Sequence, residues 1–311
     1  MVESYRLAPN LSLIDVAPPL PGFDRFIGIY VLEAGQIALV DVGPSVSVDN
    51  LISGLRELDI NPADISYIFA THIHMDHAGG IGKAIKQIPN AKIIVHERGG
   101  PHLVDPTRLW EDSQRVLGER ALQYQRIEPV PEDRIIIAKE GMSFNLGETE
   151  IEVFETPGHA SHHLSFLDRK EGRLFAGEAA GTYIGEVDSI RPATPPPFNL
   201  EPTLTSLDKL VDLSLVSLCY AHFGSADQPL DKMRYYREQL ILWGHIIADC
   251  MERGASPQDM YDEIHEKDAV LARIDNLPSG RRDRELYFIN NSIAGFIGYF
   301  KRYGTEYLKQ L

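Results

Sequence analysis

Thr71-His72-Ile73-His74-Met75-Asp76-His77-Ala78-Gly79-Gly80 places three histidines and one aspartate within six residues. It directly follows Ile65 to Ala70, a mostly apolar run that reads as a strand covered on both faces. In extended chain His72 and His74 point to the same side, and Asp76 and His77 follow in a turn. Gly79 and Gly80 allow a tight backbone before the next helix. Neutral imidazoles and a carboxylate are good ligands for zinc or iron. A single histidine here would read as a satisfied core residue. A cluster this dense behind a buried strand would leave many polar groups unpaired without a cation, so it reads as a metal site.

Other segments repeat the pattern of one polar residue just past an apolar strand. His159 follows Ile151–Phe154 in Thr156-Pro157-Gly158-His159. Glu178 follows Leu174–Ala176 in Gly177-Glu178, and His222 follows Val216–Cys219 in Tyr220-Ala221-His222. Strand ends on one edge of a sheet converge, so one shared site is expected. Two metals about 3.5–4 Å apart could clamp a bridging hydroxide there.

The order His72-x-His74-x-Asp76-His77, then Thr156-Pro157-Gly158-His159, Gly177-Glu178 and His222 resembles the metallo-β-lactamase superfamily, over roughly residues 10–228. That resemblance implies an α/β fold, an αββα sandwich with metals at one edge between the sheets. It implies that His72, His74 and His159 hold a first metal and Asp76, His77 and His222 a second. The family usually bridges the two with Asp; this chain has Glu178. Asp41, in Val40-Asp41-Val42-Gly43, matches the family's Asp-x-Gly turn and would support the metal loop. His163 resembles a further family histidine with a supporting role. The implied cofactors are two divalent transition-metal ions, zinc first, with iron or manganese as alternatives.

The chemistry implied is attack by a metal-bridging hydroxide on an ester, lactone or thioester of a small molecule. Asp76 would orient the water and take up its proton. Tyr183, five residues after Glu178, is a candidate proton donor or oxyanion contact. Within the superfamily the lactonase and glyoxalase II-like branch matches best. β-Lactamases proper lack a carboxylate at the Glu178 position, and the flavodiiron branch has Glu where this chain has His74. Three alternatives remain: a mononuclear iron enzyme resembling persulfide dioxygenases, a phosphoester hydrolase, and a metal-binding module without turnover.

Around the motifs, Phe26–Leu32 and Ile37–Val40 read as a hairpin. Val48–Leu58 has helical spacing, and Ile81–Ile88 reads as a helix stopped by Pro89. Pro192, Pro195, Pro196 and Pro197 make a stiff loop, read as surface or as a rigid wall beside a pocket. After Pro229 the pattern becomes helical, with Leu230–Arg253 and Leu286–Leu308 as long helices and Ser256-Pro257 as a helix start. The expected division is therefore a catalytic domain over 1–228 and a helical C-terminal extension over 229–311. The extension's aromatic stripe is expected to pack on the main domain; capping the cleft or forming a homo-oligomer interface are alternatives. Trp110 and Tyr124 are weaker candidates for pocket walls. His96, His102, His245 and His265 are isolated and read as ordinary surface or core histidines, and His162 has no assigned role.

Composition narrows the partners. The 311 residues carry 30 Lys+Arg against 45 Asp+Glu, a formal charge of −15. Residues 229–311 are near balance, so the acid excess lies in residues 1–228. An acidic body argues against nucleic acid, whose phosphates recruit clustered Lys and Arg, and favours a small neutral or weakly charged substrate. No run of about 18 apolar residues is present, so no membrane partner is expected. Cys219 and Cys250 are too few for a disulfide scaffold. The N-terminus lacks a signal-peptide pattern, and a cytoplasmic location is expected.

Overall fold

The computed structural model describes residues 2–311. Fifteen strands are described: β1 (Glu3–Ala8), β2 (Leu11–Asp15), β3 (Gly28–Ala34), β4 (Gln36–Val40), β5 (Ile65–Phe69), β6 (Lys92–His96), β7 (Ile135–Ala138), β8 (Ser143–Asn145), β9 (Glu150–Glu155), β10 (Leu164–Asp168), β11 (Arg173–Gly177), β12 (Thr182–Ile184), β13 (Ser189–Arg191), β14 (Ser217–Tyr220) and β15 (Gly224–Ala226). Strands β1 to β7 form one sheet in chain order; the other large sheet runs β15-β14-β11-β10-β9-β8. A short ribbon pairs β12 with β13.

The two sheets face each other across Leu13, Tyr30, Phe69, Val153, Phe166 and Phe175. Tyr30 also ties them by polar contact. Its buried hydroxyl faces the carbonyls of Tyr220 at 2.9 Å and Gly224 at 2.6 Å. The outer face of the first sheet is covered by the helix Val48–Glu57, which buries Val48, Leu51, Ile52 and Leu55 at helical spacing. The second sheet's outer face carries the helices Leu200–Val211, Pro229–Glu252 and Ser279–Tyr303 in one apolar cluster that includes Trp243, Tyr236 and Phe296. This is an αββα sandwich with added C-terminal helices.

Strand direction places the site. β4 and β5 run parallel. In the other sheet β11 and β14 run parallel, and β9, antiparallel to β10 as β11 is, shares their sense. The residues just past the C-terminal ends of these strands therefore meet at one edge of the sandwich. Two of the sequence expectations end differently in detail. The α-helix after Gly80 covers only Ile81–Ala84 before loosening into turns. The last long helix begins earlier, at Ser279, and ends at Tyr303. Ser256 does cap the helix Pro257–Lys267, in a reciprocal capping box with Asp259. Among the described residues no helix is long and apolar enough to cross a membrane.

Candidate metal centre

The cluster is built from loop residues that the backbone holds tightly. Asp41 follows β4 in the left-handed region, at φ 62°. From there its Oδ1 accepts from the Thr71 backbone N–H at 2.8 Å, and its Oδ2 from the Thr71 hydroxyl at 2.8 Å. Oδ2 also accepts from His77 Nδ1 at 3.0 Å. One buried carboxylate thus fixes both ends of the His-rich loop. The His77 carbonyl returns the constraint by accepting from the N–H groups of Val42 and Gly43, each at 3.0 Å.

These contacts decide where ring protons sit. A carboxylate only accepts, so the Thr71 hydroxyl proton points at Asp41, and His72 Nδ1, 3.1 Å from Thr71 Oγ1, must be the donor. His159 Nδ1 donates to the Ala193 carbonyl at 2.8 Å, and His222 Nδ1 to the Phe26 carbonyl at 3.0 Å. In His72, His77, His159 and His222 alike, Nδ1 is committed outward and Nε2 faces the common centre. That outer hydrogen bond is the usual support of a metal-binding imidazole.

The facing atoms lie close together. His74 Nδ1 is 3.0 Å from both His72 Nε2 and His159 Nε2. Glu178 Oε2 lies 2.8 Å from His159 Nε2, 3.4 Å from His72 Nε2 and 3.5 Å from His77 Nε2. Its Oε1 lies 3.6 Å from His222 Nε2, which is 3.8 Å from Asp76 Oδ2. Two sets of atoms that could each hold an ion result: His72, His74, His159 and Glu178, and Asp76, His77 and His222. His77 Nε2 is buried with no hydrogen-bond partner. Lone pairs converging on one point around such an orphaned atom fit a cation.

The electrostatics agree. Burial, aided by the neighbouring histidines, pushes His72 and His74 well below the ordinary imidazole range. For His77 burial acts downward, but Asp76, Asp41 and Glu178 outweigh it and hold the ring well above that range. Burial would raise Glu178, yet His159, His77 and His222 keep it well below the usual carboxylate range. The carboxylates demand positive charge at this spot, and divalent metal would supply it.

The residues around the cluster separate into supports and walls. His163 Nε2 accepts from the Glu178 backbone N–H at 3.0 Å, while its Nδ1 meets Thr156 Oγ1 at 2.8 Å. It therefore orients Glu178 and points no free nitrogen at the centre. Gly177 sits at φ 56°, and a Cβ there would lie 2.5 Å from His163 Nε2; only glycine fits. Phe26 stacks on His222 with centroids 4.2 Å apart, and on Phe288 at 5.0 Å.

A cavity of about 270 Å³ opens over the cluster. His74, Asp76, His159, Glu178 and His222 form its floor, and His162 is also on its lining. Its walls come from Leu109, Val116 and Leu117, from Pro195 to Pro197, and from Phe288, Asn291 and Ser292 of the helix Ser279–Tyr303. The proline loop is thus a wall beside the pocket. Trp110 and Tyr124 are not on it; they pack beneath the outer face of the first sheet. The helix Thr107–Leu117 gives residues 109, 112, 113, 116 and 117 to the cavity, and Trp110 is not among them. Tyr183 is also off this cavity, its hydroxyl donating to Asp188 Oδ1 at 3.1 Å and pushed up to about 12 by burial and that carboxylate. His96, which accepts from the Arg98 N–H at 3.0 Å, stands apart from the cluster. Phe288, one of the C-terminal aromatics for which capping the cleft is an alternative reading of the sequence, is on the lining, whereas sequence reasoning does not single out Asn291 or Arg191. No local motif marks them.

A family model described as the metallo-beta-lactamase superfamily matches residues 24–222. The chain belongs to the metallo-β-lactamase superfamily. A metallo-β-lactamase fold-containing protein of Sulfurisphaera tokodaii is 30% identical over 207 residues, covering 65% of this chain and 74% of the relative. A hydroxyacylglutathione hydrolase of Legionella pneumophila is 27% identical over 162 residues, about half of each chain, 51% and 50%. In fold, a metallo-β-lactamase family protein of Thermus thermophilus aligns over 96% of both chains with a TM-score of 0.69 at 22% identity. That superfamily match spans the cluster from Asp41 to His222. The added helices that wall the cavity fall outside it.

Proposed function

We propose that this protein is a metal-dependent hydrolase that cleaves an ester, lactone or thioester bond of a small molecule. His72, His74 and His159 would hold one divalent ion, Asp76, His77 and His222 a second, and Glu178 would lie between them. The observation that carries the reading is the position of Glu178, whose Oε2 lies near His159 and His72 of one set and His77 of the other, while its Oε1 lies near His222 of that second set. Its extra methylene relative to aspartate is accommodated by the glycine before it and by His163 behind it.

Divalent cations held there would acidify a water molecule and polarise the acyl oxygen of the substrate. The chain's own groups supply the rest. Asp76 is partly exposed on the cavity floor, where it can orient a water molecule, accept its proton and deliver it to the leaving group. Leu109, Val116, Leu117 and Phe288 exclude bulk water and receive the apolar part of the substrate. Tyr183 is the alternative proton donor or oxyanion contact, although its hydroxyl is spent on Asp188. The hydroxyacylglutathione hydrolase relative supports acyl rather than phosphoryl chemistry. The second set, Asp76, His77 and His222, offers room for a second metal; a persulfide dioxygenase-like enzyme with a single iron would share the same residues and is told apart by its metal count.

The test is elemental analysis followed by a turnover panel of lactones, thioesters, phosphate esters and β-lactams with zinc, manganese and iron. Two ions per chain and hydrolysis of an acyl substrate, lost in Asp76→Ala, are expected. One iron with oxygen uptake, phosphoester turnover alone, or metal binding without any turnover would each overturn the reading.

A further inference from the structure

The cavity wall contains a buried guanidinium that its own protein leaves partly unmet. Arg191, at the end of β13, is 2% exposed and lines the cavity over the metal cluster. Its Nε donates to Glu285 Oε2 at 2.5 Å, and its Nη1 to the Pro192 carbonyl at 3.3 Å. Among the described residues no acceptor meets its Nη2, and the residue lines the cavity.

The charge around it does not balance. Glu285 is fully buried and is shared with Arg284, whose Nε lies 2.8 Å from Glu285 Oε1. Arg284 spends its Nη1 on the carbonyls of Gly22 and Asp24. Within the buried part of the wall two guanidinium groups thus divide one carboxylate; the next carboxylates, Asp24 and Glu186, are at the surface on Arg281. Asp76 and Glu178, the other carboxylates at the cavity's base, lie among the histidines. Asp112 at the outer rim is paired with Arg108 and Arg115. Asn291, one turn beyond Phe288, lines the same cavity and has no hydrogen-bond partner among the described residues.

A buried cation with a donor left over is costly unless an acceptor completes it. The free edge of a guanidinium beside an amide matches a carboxylate in charge and shape. Phe288 lies against the Arg191 guanidinium at 4.9 Å and limits its swing. We propose that Arg191, with Asn291 on the same cavity lining, holds a carboxylate of the substrate, so that the cavity takes acyl compounds bearing an acid group away from the bond that is cut. The proposal rests on the hydrolase reading above for what happens to that compound, and on the wall alone for the recognition. It replaces the neutral-substrate preference that net charge suggested, because the local charge of the wall outranks that of the distant surface.

The test separates binding from turnover. The metal-loaded protein is titrated calorimetrically with succinate, glutarate and adipate, each against its monoamide. Both members of a pair carry one carboxylate for the metals, so their difference reports the second. At the length that spans the cavity, the diacid should bind about 10- to 100-fold more tightly than the monoamide. Arg191→Gln should erase the difference; Arg191→Lys, which keeps the charge, should retain part of it, and Asn291→Leu should reduce it. Glu285 keeps Arg284 in all of these, so the fold has its ion pair. A merely structural Arg191 would lower the melting temperature and leave the discrimination intact, which would overturn the proposal, as would equal affinity at every length in the native protein. Should no acyl substrate turn over while this discrimination is present, the hydrolase reading fails and the anion site stands.

Discussion

His163 accepts a hydrogen bond from the backbone N–H of Glu178 at 3.0 Å. Because an N–H only donates, His163 Nε2 carries no proton, and its Nδ1 proton points at Thr156 Oγ1. The chain extends through Ser165 to the Ala176 carbonyl, on the strand that delivers Glu178. A histidine that never faces the centre thereby sets the height of the carboxylate that does. His163→Ala should weaken metal retention about 10- to 100-fold, as loss of an outer support does. His163→Gln, which keeps an acceptor, should retain more. Chelator competition measures both, and unchanged retention in His163→Ala would contradict the role.

Glu178 itself gives a graded expectation. Glu178→Asp keeps a carboxylate but withdraws it by one methylene, and Glu178→Ala removes it. The aspartate variant should keep both ions at reduced affinity, and the alanine variant should lose at least one. Metal counts after dialysis decide, and equal loss in the two variants would argue against a ligand role.

Asp41 accepts three hydrogen bonds with two oxygens. Asparagine has the same size but turns a donating NH₂ toward at least one of those donors. Asp41→Asn should cost about 1–3 kcal/mol of stability and loosen His77, with the Asp76 set emptied first. Urea denaturation together with metal analysis checks this. A stable variant with full metal content would count against it.

The Glu285 network predicts a pH response. Burial alone would raise this carboxyl, but Arg191 and Arg284 hold it below its unfolded value near 4.5. A depressed folded value means that the network's stabilisation is fully present above the unfolded value and is lost as pH falls through the folded one. Urea midpoints should therefore decline below about pH 4.5 in the native chain. Glu285→Gln should be less stable near neutrality and show a shallower decline. Parallel curves would remove Glu285 as the source.

The fold was legible because its decisive signals are local. An apolar strand followed at once by His72 to His77 announces both a buried sheet and a charged edge, and His159, Glu178 and His222 repeat that grammar within a few residues each. Three further features were harder to read. Pro195 to Pro197 read first as a stiff surface loop and only second as a pocket wall, since stiffness says nothing about what a loop faces. Phe288 and Asn291 reach the cavity from a helix whose sequence reads first as packing on the main domain, with capping the cleft as the alternative. Arg191 gives no motif at all; its importance comes from sharing Glu285 with Arg284 across nearly a hundred positions. Tyr183, singled out for its nearness to Glu178 in sequence, faces Asp188 because the ribbon β12–β13 turns it away from the cavity.

Part of the wall is drawn from a stretch of chain that gives nothing to the cage. The cation's surroundings are complete by His222, whereas Phe288, Asn291 and Ser292 arrive on the last long helix. Mutations accumulating in that helix can reshape what is admitted while every imidazole stays where it was. A lineage could therefore change its diet by editing the end of the chain and inherit its reactivity intact.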